Sequence, residues 1–248
     1  MKKTRLDERL VAEGLFPTRA KAQAAILAGE VFVDGRPALK AGTPVSLDSR
    51  VEFKSSRPAY VSRGGLKLES ALDALALDVS SRICLDVGAS TGGFTDCLLS
   101  RGASFVHAVD VGHGQIDARI KSDPRVRSVE GLHAARLAPG MFSPAPDFAT
   151  IDVSFISLTK ILPAVAGCLK KPFGILALVK PQFEVGPKLA PKGVVRGAEA
   201  RLMAIEKVRG VLDALLLEEK GLFECPVRGP KGNVEFFLHL RSKAEAPQ

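Results

Sequence analysis

The segment Leu85-Asp86-Val87-Gly88-Ala89-Ser90-Thr91-Gly92-Gly93-Phe94-Thr95-Asp96 constrains the fold of this chain more than any other. A short apolar run stops at Gly88, small residues follow, and a helical pattern starts near Gly93. A strand that turns through glycines into a helix brings bare backbone and a helix N-terminus up against a bound ligand, and it belongs to open α/β sheets. The spacing is Asp86-x-Gly88-x-x-x-Gly92-Gly93, which is not the glycine-x-glycine-x-x-glycine of dinucleotide enzymes.

The pattern downstream agrees with such a sheet. A helix with Leu68, Leu72 and Leu75 at apolar spacing precedes a strand at 83–87, and further strands are predicted at 105–109, 126–129, 148–151 and 175–179, most of them separated by helical stretches. A long helix is predicted over 199–217. Segments 223–227 and 234–240 flank Arg228-Gly229-Pro230-Lys231-Gly232-Asn233 and read as a β-hairpin. The expected fold is α/β: a Rossmann-like, mainly parallel sheet with a terminal antiparallel hairpin, as in many methyltransferases.

Asp110 ends the second strand, where an acid can accept hydrogen bonds from a ribose. Asp86 and the turn residues Gly88, Ser90, Gly92, Gly93 and Phe94 suit the amino-acid part of S-adenosylmethionine, and Glu130 or its neighbours are placed to reach an adenine. Four more positions converge by topology, because parallel strands deliver their carboxyl ends to one edge. Asp152 follows the fourth strand and Lys180 the fifth. Glu235 opens a strand taken as antiparallel, and Lys67 lies on the helix before the first strand. Two positive and two negative side chains at one edge suit the transfer of a methyl group to a hydroxyl, whose proton a lysine can take when desolvation or a neighbouring cation favours its neutral form. Lys180 is the candidate base, Asp152 its orienting partner, and Glu235 the partner of Lys67 or of the ribose.

With 35 lysines and arginines against 27 aspartates and glutamates, the formal charge of +8 favours a polyanionic partner. Cys84, Cys97, Cys168 and Cys225 are too dispersed for a zinc knuckle, and His107, His113, His133 and His239 lack metal spacing, so no metal is expected. The start of the chain lacks the apolar core of a signal peptide and no later run would span a bilayer, which points to a cytoplasmic protein without a membrane partner.

A smaller α+β module occupies 1–54, with a linker at 55–61, the large domain at 62–243 and a tail at 244–248. Thr4 is expected to cap a first helix and Thr18 a second, followed by short strands around the Asp34-Gly35 turn. Tyr60, the one tyrosine, is either a hinge contact or an aromatic plug of the next core.

Arg5-Leu6-Asp7 with Leu10, then Arg19-Ala20-Lys21 and Gly29-Glu30-Val31-Phe32-Val33-Asp34-Gly35, resemble the S4 RNA-binding module. That resemblance implies that Arg5, Arg9, Arg19 and Lys21 face structured RNA, reading shape and phosphate more than base edges. In the large domain, Lys67, Asp152, Lys180 and Glu235 resemble the Lys-Asp-Lys-Glu tetrad of FtsJ-type ribose 2′-O-methyltransferases. With Ser62-Arg63-Gly64-Gly65-Leu66-Lys67-Leu68 and Ile151-Asp152-Val153-Ser154-Phe155-Ile156-Ser157, nearly the whole chain resembles the TlyA family. The resemblance implies methylation of ribosomal RNA, at cytidine, with S-adenosylmethionine as donor, ribosomal RNA or ribosomal subunits as partners and Arg63 among the RNA contacts. A noncatalytic RNA-binding assembly factor that retains the fold is the alternative. The basic, proline-broken stretch 183–196 is either a lid over RNA or a loop without a role.

Overall fold

Residues 3–38, 40–53 and 59–243 are described by the computed structural model. Two units divide the chain, Met1–Pro58 and Ala59–Gln248. The tail and most of the linker, with Arg57, lie outside the described residues.

The first unit contains β1 (Lys3–Arg5), α1 (Leu6–Ala12), α2 (Arg19–Leu27), β2 (Val31–Val33), β3 (Arg36–Pro37), β4 (Pro44–Ser46) and β5 (Val51–Phe53). Leu6, Leu10, Ala22, Ala25, Ile26, Val31 and Val45 close its core. The Thr18 hydroxyl caps α2, accepting from the Lys21 amide at 3.3 Å. Thr4 does not cap α1. It is paired with Val45 inside β1, so the helix starts one residue later, with Arg5 at the N-cap and no side-chain bond there.

The second unit runs α3 (Arg63–Ala74), β6 (Ile83–Val87), α4 (Gly93–Ser100), β7 (Phe105–Val109), α5 (Ala118–Lys121), β8 (Val126–Val129), β9 (Phe148–Ile151), α6 (Leu158–Gly167), β10 (Gly174–Val179), α7 (Pro181–Glu184), α8 (Ala198–Arg209), β11 (Leu217–Glu224) and β12 (Phe236–Ser242). These strands form one seven-stranded sheet in the order β11-β12-β10-β9-β6-β7-β8. The five strands β10, β9, β6, β7 and β8 are parallel, and β12 and β11 close one end antiparallel. Successive residues of β6 serve opposite faces: Cys84 joins the core with Leu72, Leu98 and Phe237, and Leu85 the core with Ile151, Ile161 and Leu238.

Tyr60 plugs the first of these cores, its hydroxyl donating to Glu69 at 2.8 Å. The predicted helix over 199–217 needs correction. Helix α8 stops at Arg209 with Gly210 as its cap, and Leu217 already begins β11. The leucines between 212 and 217 fit an apolar helix face as well as a strand. Pairing with β12 decides the matter, and burial along β11 alternates with a period of two.

Candidate active site

The register of the sheet gathers the four charged positions. Ala177 of β10 is paired with Ile151 on β9, and Val179 with Phe236 on β12, so Asp152 and Lys180 just after their strands and Glu235 just before its own lie at one edge of the sheet. Lys180 takes the N-cap position of α7, and Pro181 at the first helical position ends the strand there. Its ammonium lies 2.5 Å from Asp152 Oδ1 and donates to Ser154 Oγ at 3.0 Å. From α3, Lys67 Nζ donates to Glu235 Oε2 at 2.6 Å. Lys67 and Lys180 are 9% and 8% exposed and Glu235 is fully buried, so both ion pairs work in low dielectric. The second oxygen of Glu235 has no hydrogen-bond partner, and room for that carboxylate depends on Gly229: a Cβ there would stand 2.0 Å from Oε1.

Two clefts meet at this edge. One, of about 470 Å³, is lined by Lys67, Asp152, Arg63, Arg228, Gly93 and Phe94 among others. The other, of about 310 Å³, has apolar walls from Val87, Val109, Leu132, Val153 and Ile156, with Asp110, Gln115 and His133 as polar groups. Gly88, Ser90 and Asp152 line both. Gly88 has φ +89°, and a Cβ on it would stand 2.5 Å from the Asp152 carbonyl oxygen, so the turn between the clefts requires glycine. Asp110 accepts hydrogen bonds from the amides of Ser90 at 2.8 Å and Gly112 at 2.7 Å, which braces the turn while the carboxylate faces the second cleft.

Three expected ligand contacts are corrected. Asp86 is fully buried inside β6 and spends its oxygens on the hydroxyls of Thr95 at 2.7 Å and Thr150 at 3.1 Å, so it faces neither cleft. Burial pushes its carboxyl up to about 7, against the pull of those two hydroxyls. Gly92, at φ +93°, is buried, and the side where a Cβ would stand faces Ile116 and Ile120. Glu130 turns away to accept from the Gly114 amide at 3.0 Å and pair with Lys121 at 3.7 Å; its neighbours Leu132 and His133 line the second cleft instead.

Some functional geometry had no assigned role in the sequence. Ser154 holds the Lys180 ammonium, and Phe155, 91% exposed, meets Phe183 with ring centroids 5.0 Å apart. Both lie in the Ile151–Ser157 motif, which was the available signal. The stretch 183–196 carries a small core of Ala190 and Val195 with Ala200. It is tied to the turn before β12 by Asn233, which accepts from the Val195 amide and donates to the Gly193 carbonyl.

Comparison with known proteins shows the family of both units. Residues 60–242 match the FtsJ-like methyltransferase model and residues 4–51 the S4 domain model. The 16S/23S rRNA (cytidine-2′-O)-methyltransferase TlyA of Mycobacterium tuberculosis is 43% identical over 98% of this chain and 92% of its own length. A protein of Brachyspira hyodysenteriae named Hemolysin A is 39% identical, covering 95% of this chain and 99% of its own. A solved structure from Streptococcus thermophilus, described as a candidate hemolysin, superposes with a TM-score of 0.74 at 41% identity, covering 99% of this chain and 90% of that one. The chain belongs to the TlyA family of FtsJ-like methyltransferases.

The methyl donor of an FtsJ-like enzyme is S-adenosylmethionine, and the second cleft fits it: apolar walls suit an adenine, and the Asp110 carboxylate suits ribose hydroxyls. In the S4 domain the predicted basic residues divide. Arg5 and Arg19 are about half exposed and share the buried Asp7 carboxylate, at 3.0 and 3.1 Å. Those cations hold Asp7 well below the usual carboxylate range. Lys21 is exposed. Arg9 is a correction: it is 7% exposed, and its guanidinium is committed to the Ser46 and Ser49 carbonyls and to Glu13, because α1 must be fastened to the strands behind it. Arg63 donates to the Arg228 carbonyl at 3.1 Å and lines the first cleft. As for the hemolysin name carried by relatives, no helix among the described residues is long and apolar enough to cross a membrane.

Proposed function

We propose that this protein methylates a ribose 2′-oxygen in ribosomal RNA, at a cytidine, in the cytoplasm, with naked rRNA or a ribosomal subunit as substrate. The observation that carries the reading is the Asp152 carboxylate, which lines both clefts and holds the Lys180 ammonium at 2.5 Å behind it, one cleft suited to the donor and the other lined by Lys67, Arg63 and Arg228. The name of the Mycobacterium tuberculosis relative supports the substrate and the base. S-adenosylmethionine, when bound, supplies a methyl group already activated by a sulfonium.

The enzyme's own work is then to place the hydroxyl and take its proton. Lys180 Nζ, in its neutral form, accepts the proton of the 2′-hydroxyl, and Asp152 stabilises the ammonium that results. Ser154 Oγ fixes the direction of that ammonium. Lys67, held by Glu235, offers its remaining donors to the substrate's phosphate or ribose. The exposed ring of Phe155 beside Phe183 gives a surface on which an unstacked base can lie.

Purified protein incubated with the donor and with rRNA or subunits from cells lacking the gene will add a 2′-O-methyl group, located by reverse-transcription stops at low nucleotide. No transfer to either substrate would leave an assembly factor and overturn the reading. The S4 domain has its own test. Arg19→Ala with Lys21→Ala will weaken RNA binding and reduce the salt slope by up to ~0.9 per lost phosphate contact on duplex-like RNA, with donor affinity unchanged. An unaltered slope in a salt titration would mean that these charges are only solvated.

A further inference from the structure

Glu184 is buried, 5% exposed, at the end of the short helix that Lys180 starts. Its Oε1 accepts from the Leu158 amide at 2.8 Å, its Oε2 from Ser157 Oγ at 2.5 Å, and Lys207 Nζ lies 3.4 Å away. Ser157 is the N-cap of α6, so the carboxylate serves a helix start whose amides need acceptors. The turn 152–157 is thereby fastened to the turn 180–184 at two places. Lys180 grips its near end through Asp152 and Ser154, and Glu184 grips its far end through Ser157 and Leu158.

Between the two grips stands Phe155 with φ +65°, a backbone conformation that a residue with a side chain rarely adopts. Such a turn holds its shape only when its surroundings over-determine it. A capping role for α6 alone would be met by Ser157, whose hydroxyl already accepts from the Thr159 amide at 3.3 Å. The glutamate adds a bond across two loops, and both loops carry groups of the candidate site.

We propose that Glu184 is a positioning residue for methyl transfer: it locks the 152–157 turn against the Lys180 turn, and so sets where Asp152 and Ser154 meet the Lys180 ammonium and where Phe155 meets Phe183. The inference rests on the reading of Lys180 as the base. Neutralising Glu184 reverses the bond to the Ser157 hydroxyl, turns the charge-assisted contact with the Leu158 amide into a weaker neutral one, and takes the counter-charge from Lys207, which keeps only its bond to the Glu184 carbonyl. The turn then relaxes, and Asp152 and Ser154 lose their register with Lys180. Misplacement on the scale of an ångström at a reacting group costs up to ~100-fold in rate.

The test uses the full chain with Glu184→Gln, Ser157→Ala and the double variant, measured below their melting temperatures. Single-turnover transfer to rRNA will fall ~10- to 100-fold in Glu184→Gln while the donor dissociation constant stays within about twofold. Amides of 153–158 will exchange faster with solvent. The double variant will be no slower than the slower single one, since both changes undo one clamp. A parent-like single-turnover rate, with only a lower melting temperature, would reduce Glu184 to a helix cap and overturn the proposal. Should Glu184→Gln fail to fold, Ser157→Ala and Lys207→Met each remove one partner of the carboxylate and carry the same readouts. Lys180→Arg run in parallel separates the two claims. A parent-like rate there sinks the base assignment, whereas a parent-like Glu184→Gln beside a slow Lys180→Arg sinks the positioning role alone.

Discussion

Lys180→Arg will lose most of its methyl-transfer rate, ~100- to 10,000-fold, while keeping its affinity for donor and RNA. Arginine retains the positive charge beside Asp152 but does not release its proton near neutral pH, so charge and base are separated by one substitution. Lys180 is only 8% exposed, and the larger guanidinium needs room; Lys180→Met, smaller and uncharged, controls for crowding. Both variants lose the base, and only the methionine also loses the charge. Single-turnover methylation reads the loss with product release removed. A near-parent rate in Lys180→Arg would leave Lys180 as a source of charge. The base would then be water or Lys67, which lines the first cleft and is held by Glu235.

Asp86→Asn will change stability more than activity, and the direction depends on pH. The buried carboxyl stands at about 7 in the fold against 3.8 in an unstructured chain. Below about pH 4 the folded and unfolded chains both hold the proton, and the favourable contribution is complete. Between about 4 and 7 the unfolded chain releases it while the folded chain keeps it, so stability declines as pH rises. Above about 7 both are ionised and the loss is constant, on the order of 4 kcal/mol. Asparagine carries no charge at any pH, and the hydroxyls of Thr95 and Thr150 can rotate to meet its amide. The variant will therefore lack this decline and gain stability over the parent at pH 8 relative to pH 4. Denaturant unfolding at several pH values checks it. Tyr60, the one tyrosine in a chain without tryptophan, is buried in the second unit and reports on that unit's unfolding. Parallel stability curves for parent and variant between pH 4 and 7 would show that Asp86 is ionised in the fold.

Asp86 also marks where residue type misled. An acid next to a glycine turn suits a ligand's ammonium, and nothing in the local pattern distinguishes that from a carboxylate turned into the sheet. Alternation along β6 puts Leu85 and Val87 on one face and Asp86 with Cys84 on the other, and that face meets Thr95 of α4 and Thr150 of β9. Gly92, Glu130 and Arg9 follow the same logic. Each lies at a correct place in the chain, but the direction of each is set by a neighbour distant in sequence: Ile120, Gly114 and Ser49 respectively.

The five parallel strands, the glycine turn and the order of the four charged residues were legible because they depend on periodicity and on the rule that parallel strands share one carboxyl edge, whereas the strand expected at 223–227 runs instead over Leu217–Glu224. Local patterns determine element type, and topology then constrains which strand ends meet. The end of α8 escaped that reading because Leu212, Leu215 and Leu216 continue an apolar pattern past Gly210, although they lie in a short 3-10 turn and only Leu217 is paired with β12. Tertiary structure alone set Glu235 on Lys67, a choice the sequence left between that lysine and a ribose, since the two residues are 168 apart and meet only through the packing of α3 over the sheet. It alone turned Glu184 inward, because a carboxylate's partners are chosen by whichever donors the fold leaves unpaired within a few ångströms, and no spacing along the chain records that distance.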